Sequence, residues 1–456
     1  MEEESLAMPG DSAQDRAAEL QAALKTRKIE HVVVLGANGT MGYGSAALFT
    51  TAVPRVTLLA RTREKAEEGL AAAIKQVRSP TVASRTDLGD YDSDLERVVG
   101  EADLIFEALT EDMEIKRAIF DRVENARRDD AIVATVTSGL SINSLCEGRS
   151  ESFRKHFMGL HFFNPPNVIV GTELVGGHDT DPALLDFVEA FSIHHLGREM
   201  VRTADTPAFA GNRVGFKVLN EAAQLAEQMG PTLVDRLVGP YTGRAMTPLA
   251  TIDLVGWDIH RAIVDNVHQN APDEAHATLK LPDYMANLME AGVMGNKSGG
   301  GFFKKQGDDR FVLDPASGDY RPAGEISLPD LSYIDEVAHL YSMGRYVEGM
   351  AKFLAADGDE AALARKVIAG YIAYAFERAG EVTETITGID MIMGAGFNWA
   401  PPSVLVDTMG VAAAVSMIEG AGLGVPAILA TAAADSSSEL FFQDPLVNIG
   451  KYFVAA

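Results

Sequence analysis

The pattern of apolar and polar positions changes once along the chain, near residue 205. Before that point short apolar runs alternate with helical stretches, and the run over residues 31–35 is typical of a strand buried on both faces of a parallel sheet. Further strands are predicted at residues 55–59, 104–108, 132–137, 156–162 and 199–203. Strands that alternate with helices predict a doubly wound α/β domain.

After residue 205 the pattern is helical, and it repeats. Residues 247–256 and 401–410 share proline, aspartate and glycine at one offset of 154 residues. The repeat predicts two copies of one all-α domain. In chain order, the predicted parts are an N-terminal extension with one short helix (1–28), the α/β domain (29–204), a first helical copy (205–305), a linker rich in Gly, Asp and Pro (306–332) and a second helical copy with a tail (333–456).

Composition narrows the class of partner. The chain has 456 residues, of which 47% are apolar, and its net charge is −26, so nucleic acid and acidic membrane surfaces would be repelled. No window of about 18 consecutive apolar residues occurs, so no membrane span is expected. One cysteine, Cys146, and an N-terminus without a secretory pattern predict a cytoplasmic protein. No metal site is predicted.

A glycine-rich segment follows the first predicted strand. Gly36, Gly39 and Gly42 give the spacing G-x-x-G-x-x-G between a buried strand and a helix. Glycines there let the backbone turn tightly and approach a pyrophosphate, whose charge a helix N-terminus favours. The segment predicts dinucleotide binding on a Rossmann-type sheet.

The end of the second strand bears on the choice of cofactor. An Asp or Glu usually stands there and binds the ribose 2′-hydroxyl of NAD. Here the residues are Ala60 and Arg61, and an arginine can pair with a 2′-phosphate. This favours NADP(H) over NAD(H), unless Arg61 only begins a solvated helix or stacks on adenine.

The most informative chemistry lies at His161 and Glu173. A histidine can accept and return a proton near neutral pH, and a carboxylate on its other ring nitrogen fixes the tautomer. Between them, Asn164-Pro165-Pro166 predicts a turn that folds Glu173 back toward His161. Downstream of a dinucleotide motif, this pair predicts general acid–base catalysis.

Five ordered motifs resemble the L-3-hydroxyacyl-CoA dehydrogenase family over residues 30–305. They are the segment Glu107 to Lys116, the serine motif around Ser138, His161-Phe-Phe-Asn-Pro with Glu173, the segment Asp205 to Arg213 with Asn212, and Gly295 to Phe302 with Lys297. The second helical copy is similar to the duplicated C-terminal domain of larger members. The resemblance implies a Rossmann-type domain followed by two all-α domains of this C-terminal type.

The resemblance also implies the reaction and the site. The expected activity is reversible hydride transfer between C3 of an (S)-3-hydroxyacyl-CoA, of short or medium chain, and NAD(H) or NADP(H). His161 would be the general acid/base, Glu173 its partner, and Ser138 and Asn212 would hydrogen-bond the substrate oxygen. The predicted cofactor contacts are Gly36, Asn38, Gly39, Thr40, Met41, Gly42, Ala60, Arg61, Ala108, Glu111, Lys116 and Lys297.

Three departures leave alternatives open. Val136 stands where the family usually has Asn, the arm over residues 62–84 is short for a CoA-contacting element, and the dinucleotide motif is altered. One alternative is a dehydrogenase of a free hydroxy acid or polyol, of the L-gulonate or carnitine type. Another is a non-catalytic nucleotide-binding protein. The second helical copy is expected to make the chain a monomeric pseudo-dimer or to mediate a homodimer.

Overall fold

Parallel strands form the core of the first of two units. This computed structural model describes residues 9–435, 441 and 449–453, and it divides the chain into Met1–Asp205 and Thr206–Ala456. The strands of the first unit are β1 (His31–Leu35), β2 (Arg55–Ala60), β3 (Thr86–Asp90), β4 (Leu104–Glu107), β5 (Ile132–Thr135), β6 (Phe157–Phe162), β7 (Gly171–Gly176) and β8 (Glu199–Thr203). They make one sheet in the order β3-β2-β1-β4-β5-β6-β7-β8.

The first six strands of the sheet define its class. Strands β1 to β6 pair in parallel in the order 3-2-1-4-5-6, the order of a Rossmann sheet, which confirms the predicted fold class. Only β7 runs antiparallel to its neighbour β6. Every residue of β1 is buried, as continuous apolar strands require. Phe49, Phe106 and Phe162 pack together in the core.

Helices connect these strands along the chain, except that a turn joins β6 to β7. They are α1 (Pro9–Leu24), α2 (Thr40–Ala52), α3 (Arg63–Val77), α4 (Thr81–Ser84), α5 (Leu95–Glu101), α6 (Met113–Ala126), α7 (Ile142–Cys146), α8 (Glu151–Lys155) and α9 (Pro182–Leu196). The first helix belongs to the predicted N-terminal extension, yet it is docked: Arg16 reaches Asp186 and Glu189 at 2.8 and 2.7 Å. Residues 1–8 of that extension lie outside the described residues.

Two strands of this eight-stranded sheet are absent from the sequence prediction. Strand β3 is polar, and only Gly89 in it is buried, so its composition gives no apolar run. Strand β7 is flanked by Gly171 and Gly176 and follows a proline-rich turn. Both depend on pairing with neighbours, β3 with β2 and β7 with β6 and β8, rather than on local propensity.

The second unit is mostly helical. Its helices are α10 (Gly211–Met229), α11 (Pro231–Leu237), α12 (Pro248–Val255), α13 (Trp257–Asn270), α14 (Asp283–Glu290), α15 (Ser332–Ser342), α16 (Tyr346–Ala355), α17 (Asp359–Arg378), α18 (Ile386–Ala395), α19 (Pro402–Met409), α20 (Val411–Gly420) and α21 (Ala427–Ala434). Short 3₁₀ helices occur at Pro240–Thr242, Asn296–Ser298, Ala323–Glu325 and Ile449–Tyr452. The last residues of the predicted tail, 454–456, and residues 436–440 and 442–448 lie outside the described residues.

The internal repeat appears in this unit as two matching runs of helices. Helices α10 to α13 correspond in order to α17 to α20, and Gly256 and Gly410 start equivalent helices with φ of 99° and 85°. Positive φ favours glycine, which explains why both copies keep it. Arg213 of the first copy donates to Tyr374 of the second at 2.6 Å, so the copies pack directly on each other.

Buried aspartates begin equivalent helices in the two copies. Asp235 accepts from the Thr247 hydroxyl at 2.5 Å and from the Leu249 N–H at 2.9 Å, at the start of α12. Asp390 accepts from the Ser403 N–H at 3.0 Å, at the start of α19. Each carboxylate therefore satisfies backbone donors that a helix N-terminus leaves unpaired.

A small sheet that the composition did not indicate begins at the end of the predicted first helical copy and continues into the predicted linker. Strands β9 (Phe303–Gln306), β10 (Asp309–Leu313) and β11 (Tyr320–Pro322) pair antiparallel in the order β11-β10-β9. Most Gly and Asp residues in this segment, among them Gly307, Asp308 and Gly318, lie in the connections between its strands. Such turns are polar in any connection, so composition alone does not distinguish a hairpin from a linker.

The buried aspartates generate a prediction about pH. Burial raises the pKa of Asp235 and that of Asp390 to about 7, above the value of about 4 expected in the unfolded chain. Between these values the folded state binds more protons, so stability should fall as pH rises from about 4 to about 7. We expect Asp390→Asn to flatten this dependence and to raise the free energy of unfolding at pH 8 by on the order of 1–2 kcal/mol.

Urea unfolding at pH 5 and pH 8 measures this effect. Asp357→Asn, at an exposed position, is the matched control and should leave the pH dependence unchanged. An Asp390→Asn variant with the pH dependence of the unsubstituted protein would show that this carboxyl does not titrate in the window.

Candidate active site

The glycine segment forms a tight turn from β1 into α2. Gly36 has φ of 86°, and a Cβ atom there would lie 2.3 Å from the Ala108 carbonyl oxygen. A Cβ at Gly42 would lie 2.1 Å from the Gly36 carbonyl oxygen. Gly39 precedes α2 without a side-chain cap, so the first N–H groups of the helix are left for a ligand. The loop therefore fits a pyrophosphate at the helix N-terminus.

A pocket of about 590 Å³ opens beside this turn. Five of the predicted cofactor contacts line it, namely Gly36, Asn38, Gly39, Arg61 and Ala108. Thr40, Met41 and Gly42 form the first turn of α2 behind the loop, and Ala60 is buried at the end of β2. The size is that of a small-molecule site. Dinucleotide binding by this unit is consistent with the pocket and with the backbone.

Seven further residues line the pocket, and sequence reasoning assigned none of them a role; Tyr91, Ile115 and Arg122 are among them. Tyr91 accepts a hydrogen bond from the Gly36 N–H at 2.8 Å, and burial raises its pKa to about 12. Ile115 and Arg122 come from α6, on one face of that helix. The helical spacing of 115, 118, 119 and 122 was the available signal, since these positions recur on one face.

The cations of the pocket differ in their surroundings. Arg122 is held by Glu96 at 2.8 Å and by the Tyr91 carbonyl oxygen at 2.6 Å. Arg61 is exposed at the end of β2. Asp90 is the register partner of Ala60, but its Oδ1 atom accepts from the N–H groups of residues 92 and 93. No carboxylate lines the pocket in the described part of the chain.

His161 and Glu173 meet across the antiparallel pair β6–β7. They are direct register partners, and the His161 Nδ1 to Glu173 Oε2 distance is 2.6 Å. His161 is 4% exposed and Glu173 is 0% exposed. The predicted turn that brings Glu173 back to His161 is therefore present, and it contains a cis peptide bond before Pro165. Because Nδ1 is engaged, the geometry leaves proton exchange with a reactant to Nε2.

A buried arginine holds the connection between these two strands. Arg198 donates from Nη1 to the carbonyl oxygens of Pro166 and Ile169 at 2.7 and 2.9 Å, and from Nε to that of Leu196 at 2.8 Å. Burial lowers its pKa. Its contacts are long-range in sequence, so no local pattern pointed to it. Arg198 fixes the turn through the backbone, independently of the side chains there.

Ser138 lies at the same edge of the sheet as His161. Thr135 of β5 pairs with Gly159 of β6, and both chains continue in parallel toward Ser138 and His161. The Ser138 N–H donates to Glu111 Oε1 at 2.8 Å, and the Thr137 hydroxyl donates to the same oxygen at 2.5 Å. Glu111 therefore shapes the serine loop, whatever its further contact with a ligand.

The predicted cofactor contact Lys116 is buried beside Glu107 in this structure. Its side chain is 0% exposed and its ammonium lies 2.7 and 2.9 Å from the two carboxylate oxygens of Glu107. The predicted contact of Lys116 with the cofactor stays a prediction. Glu107, a residue quoted in the motif but given no role, also accepts from Thr135 Oγ1 at 2.5 Å. The pair links β4 and β5 beneath the loops.

The remaining predicted site residues belong to the helical unit. Asn212 lies in the first turn of α10 and is 5% exposed. Lys297 lies in the 3₁₀ helix Asn296–Ser298, is exposed and forms an ion pair with Asp258. Their predicted roles toward substrate and nicotinamide stay predictions.

Two general features of the described residues also bear on function. No group of three or more His, Cys, Asp or Glu side chains among them is arranged to hold a metal ion. No single described helix is long and apolar enough to cross a membrane. Helices Pro402–Met409 and Val411–Gly420, taken as one segment, are long and apolar enough, but the chain bends by 106° between them.

A dinucleotide-binding loop and a buried His–Glu pair lie on one Rossmann sheet. Together they define the class of the protein as an oxidoreductase that uses a nicotinamide dinucleotide. Two family models match the chain in tandem: "3-hydroxyacyl-CoA dehydrogenase, NAD binding domain" over residues 31–206, and "3-hydroxyacyl-CoA dehydrogenase, C-terminal domain" over residues 209–305. The chain belongs to the 3-hydroxyacyl-CoA dehydrogenase family. The family that the sequence motifs indicated is thereby confirmed.

Individual relatives agree with this assignment. A "Probable 3-hydroxyacyl-CoA dehydrogenase" of Bacillus subtilis is 31% identical over 431 residues, which is 88% of this chain and 53% of that protein. One of Deinococcus radiodurans is 32% identical over 297 residues, 62% of this chain and 85% of that protein. This chain thus spans about half of the Bacillus relative. The solved "3-hydroxybutyryl-CoA dehydrogenase" of Escherichia coli shares the fold: TM-score 0.67, 21% identity, 91% of this chain and 100% of that one.

Proposed function

We propose that the chain is an (S)-3-hydroxyacyl-CoA dehydrogenase that interconverts 3-hydroxyacyl-CoA and 3-ketoacyl-CoA. The observation that carries the proposal is the buried pair His161–Glu173, joined at 2.6 Å on the sheet that bears the dinucleotide loop. An acid–base group beside a nicotinamide site is what oxidation of a secondary alcohol requires. The dehydrogenation step of fatty-acid β-oxidation is the proposed setting.

His161 handles the proton. Because Glu173 engages Nδ1, the neutral ring presents Nε2 as the acceptor for the proton of the 3-hydroxyl group. When bound, the nicotinamide supplies the acceptor or donor of the hydride at C3. Glu173 stabilises the imidazolium that forms and keeps the ring oriented. In the reverse direction His161 returns the proton to the carbonyl oxygen.

Other residues fix the substrate oxygen. We assign Ser138 and, as the resemblance implies, Asn212 to hydrogen bonds with this oxygen as its charge changes. The Glu111 contacts to Thr137 and the Ser138 N–H support this role because they hold the serine loop in place before substrate arrives. Glu107 and Lys116 are positioning residues beneath that loop.

The cofactor assignment to NADP(H) rests on charge. Arg61 and Arg122 both line the nucleotide pocket, and no carboxylate of the described residues does. A 2′-phosphate would meet a cation in place of the acid that usually binds the ribose hydroxyl of NAD. Arg61 is the direct candidate, since Arg122 is already bonded to Glu96.

One observation favours a substrate smaller than a long-chain acyl-CoA. After β2 the arm consists of α3 and the four-residue helix α4, which is short for a second CoA-contacting helix. A free hydroxy acid or polyol is therefore the second candidate substrate. If turnover depends on the CoA moiety, the substrate is an acyl-CoA and not a free hydroxy acid or polyol. Cofactor binding without turnover of any of these substrates would favour a non-catalytic protein.

The first test is oxidation of the reduced cofactor at 340 nm with acetoacetyl-CoA. We expect turnover, and we expect His161→Ala to lower kcat by about 10²–10⁴-fold because the general acid is lost. His178→Ala, at an exposed histidine, is the matched control and should retain full activity. No oxidation of NADH or NADPH by the unsubstituted protein would contradict the acyl-CoA proposal, as would an unchanged rate in His161→Ala.

The same assay tests the cofactor. We expect a higher kcat/KM with NADPH than with NADH, and a loss of about tenfold for NADPH alone in Arg61→Ala, since one charged hydrogen bond to the 2′-phosphate is removed. Arg63→Ala, at the exposed first residue of α3, is the control. A preference for NADH would keep the enzyme and discard the assignment of Arg61.

A further inference from the structure

The helical unit contains a second cavity with no part in the proposed reaction. It lies between the small sheet and helices α11, α12 and α15, and its volume is about 680 Å³. Strands β9 and β10 form one wall, and Ala250 of α12 and Ala338 of α15 line the space opposite. We call it the hairpin groove. Cavities of this size hold small molecules.

Two cations face each other across the hairpin. Lys305 and Arg310 are direct register partners on β9 and β10, both are exposed, and both line the groove. Like charges directly opposite in a sheet repel and destabilise the pair. Among the described residues neither cation forms an ion pair. Such a pair is unexpected in a chain of net charge −26, where carboxylates are abundant.

The nearby carboxylates are engaged elsewhere or face away. Asp335 pairs with Arg236, and Asp235 accepts from Thr247 and Leu249. Asp309 precedes Arg310 on β10, and successive residues of a strand point to opposite faces. Asp308 lies in the turn of the hairpin, and no ion pair joins it to either cation. Among the described residues, no carboxylate therefore neutralises Lys305 or Arg310.

The floor of the groove is apolar. Phe303 and Val312 are register partners two pairs farther from the turn than Lys305 and Arg310, on the same face of the hairpin. The pair between them, Lys304 and Phe311, also lines the groove. Tyr241 and Ile334 line the space beside them and are buried. The groove thus has a cationic end and an apolar end, about two residue steps apart along the strands.

We propose that the hairpin groove binds an amphiphilic anion, a carboxylate or phosphate monoester carried on an apolar chain. The head group would bridge Lys305 and Arg310 with charge-assisted hydrogen bonds and remove their mutual repulsion. The chain would cover Phe303 and Val312, which supplies the hydrophobic part of the binding energy. The groove lies wholly within the helical unit, so this proposal does not depend on the proposed dehydrogenase activity.

Calorimetric titration of the full-length protein with decanoate, decyl phosphate and inorganic phosphate tests the site. Saturable binding of decanoate or decyl phosphate is expected. The double variant Lys305→Gln/Arg310→Gln should weaken it by about tenfold or more, since a charged hydrogen bond is lost at each position. Lys28→Gln/Lys280→Gln changes net charge equally at exposed positions outside the groove and should leave the affinity unchanged.

A second variant addresses the apolar end. Ala338→Met narrows the groove without changing charge, so it should weaken decyl phosphate and leave inorganic phosphate unaffected. Binding of decanoate alone would identify a carboxylate ligand, and binding of decyl phosphate alone a phosphate monoester. The proposal fails if neither chain-bearing anion binds, if only inorganic phosphate binds, or if Lys305→Gln/Arg310→Gln binds as the unsubstituted protein does.

The thermal stability of the double variant shows whether it still folds. Removal of like charges from a cross-strand pair should leave the thermal midpoint of Lys305→Gln/Arg310→Gln at or above that of the unsubstituted protein when no ligand is present. A large fall in the midpoint would mean that the two cations stabilise the hairpin by themselves, and it would overturn the argument from repulsion.

Discussion

The register of strands β6 and β7 is the constraint on which the site depends. It sets His161 directly opposite Glu173, with both side chains buried. A slip of one residue would turn each side chain to the other face of the sheet. Loss of His161 would remove a hydrogen bond from the fully buried carboxylate of Glu173, and a buried carboxylate is costly unless it is hydrogen-bonded. Arg198 secures this register through backbone carbonyls of the connecting turn.

The parallel sheet brings the other loops of the site close to His161. Carboxyl ends of neighbouring parallel strands meet at one edge, so the glycine loop after β1, the serine loop after β5 and His161 near the end of β6 lie in one row. Beneath this row, Lys116 joins Glu107 at the end of β4. A buried ion pair that also bonds Thr135 restricts the loops above it. Positioning is thus built into the core rather than left to exposed side chains.

Local signals explain what the sequence could predict. A few adjacent residues determine the strand-to-helix turn at Gly36, and the same holds for the turn after Asn164. The dinucleotide loop and the His161–Glu173 pairing were therefore predictable. Strand β3, Tyr91 and Arg198 were not, because their contacts join distant segments. The burial of Lys116 beside Glu107 was also not predictable, because it depends on how α6 packs against β4. The small sheet β9–β11 was not predictable from composition, because its turns have the composition of a linker.

Glu173 fixes which ring nitrogen of His161 carries the hydrogen, and ¹⁵N NMR of the histidine rings measures this tautomer directly. Among the 10 histidines, the His161 signal is identified by its loss in His161→Gln. The neutral ring should carry its hydrogen on Nδ1, with Nε2 unprotonated, and Glu173→Gln should populate the opposite tautomer. A neutral His161 with its hydrogen on Nε2 in the unsubstituted protein would contradict the account.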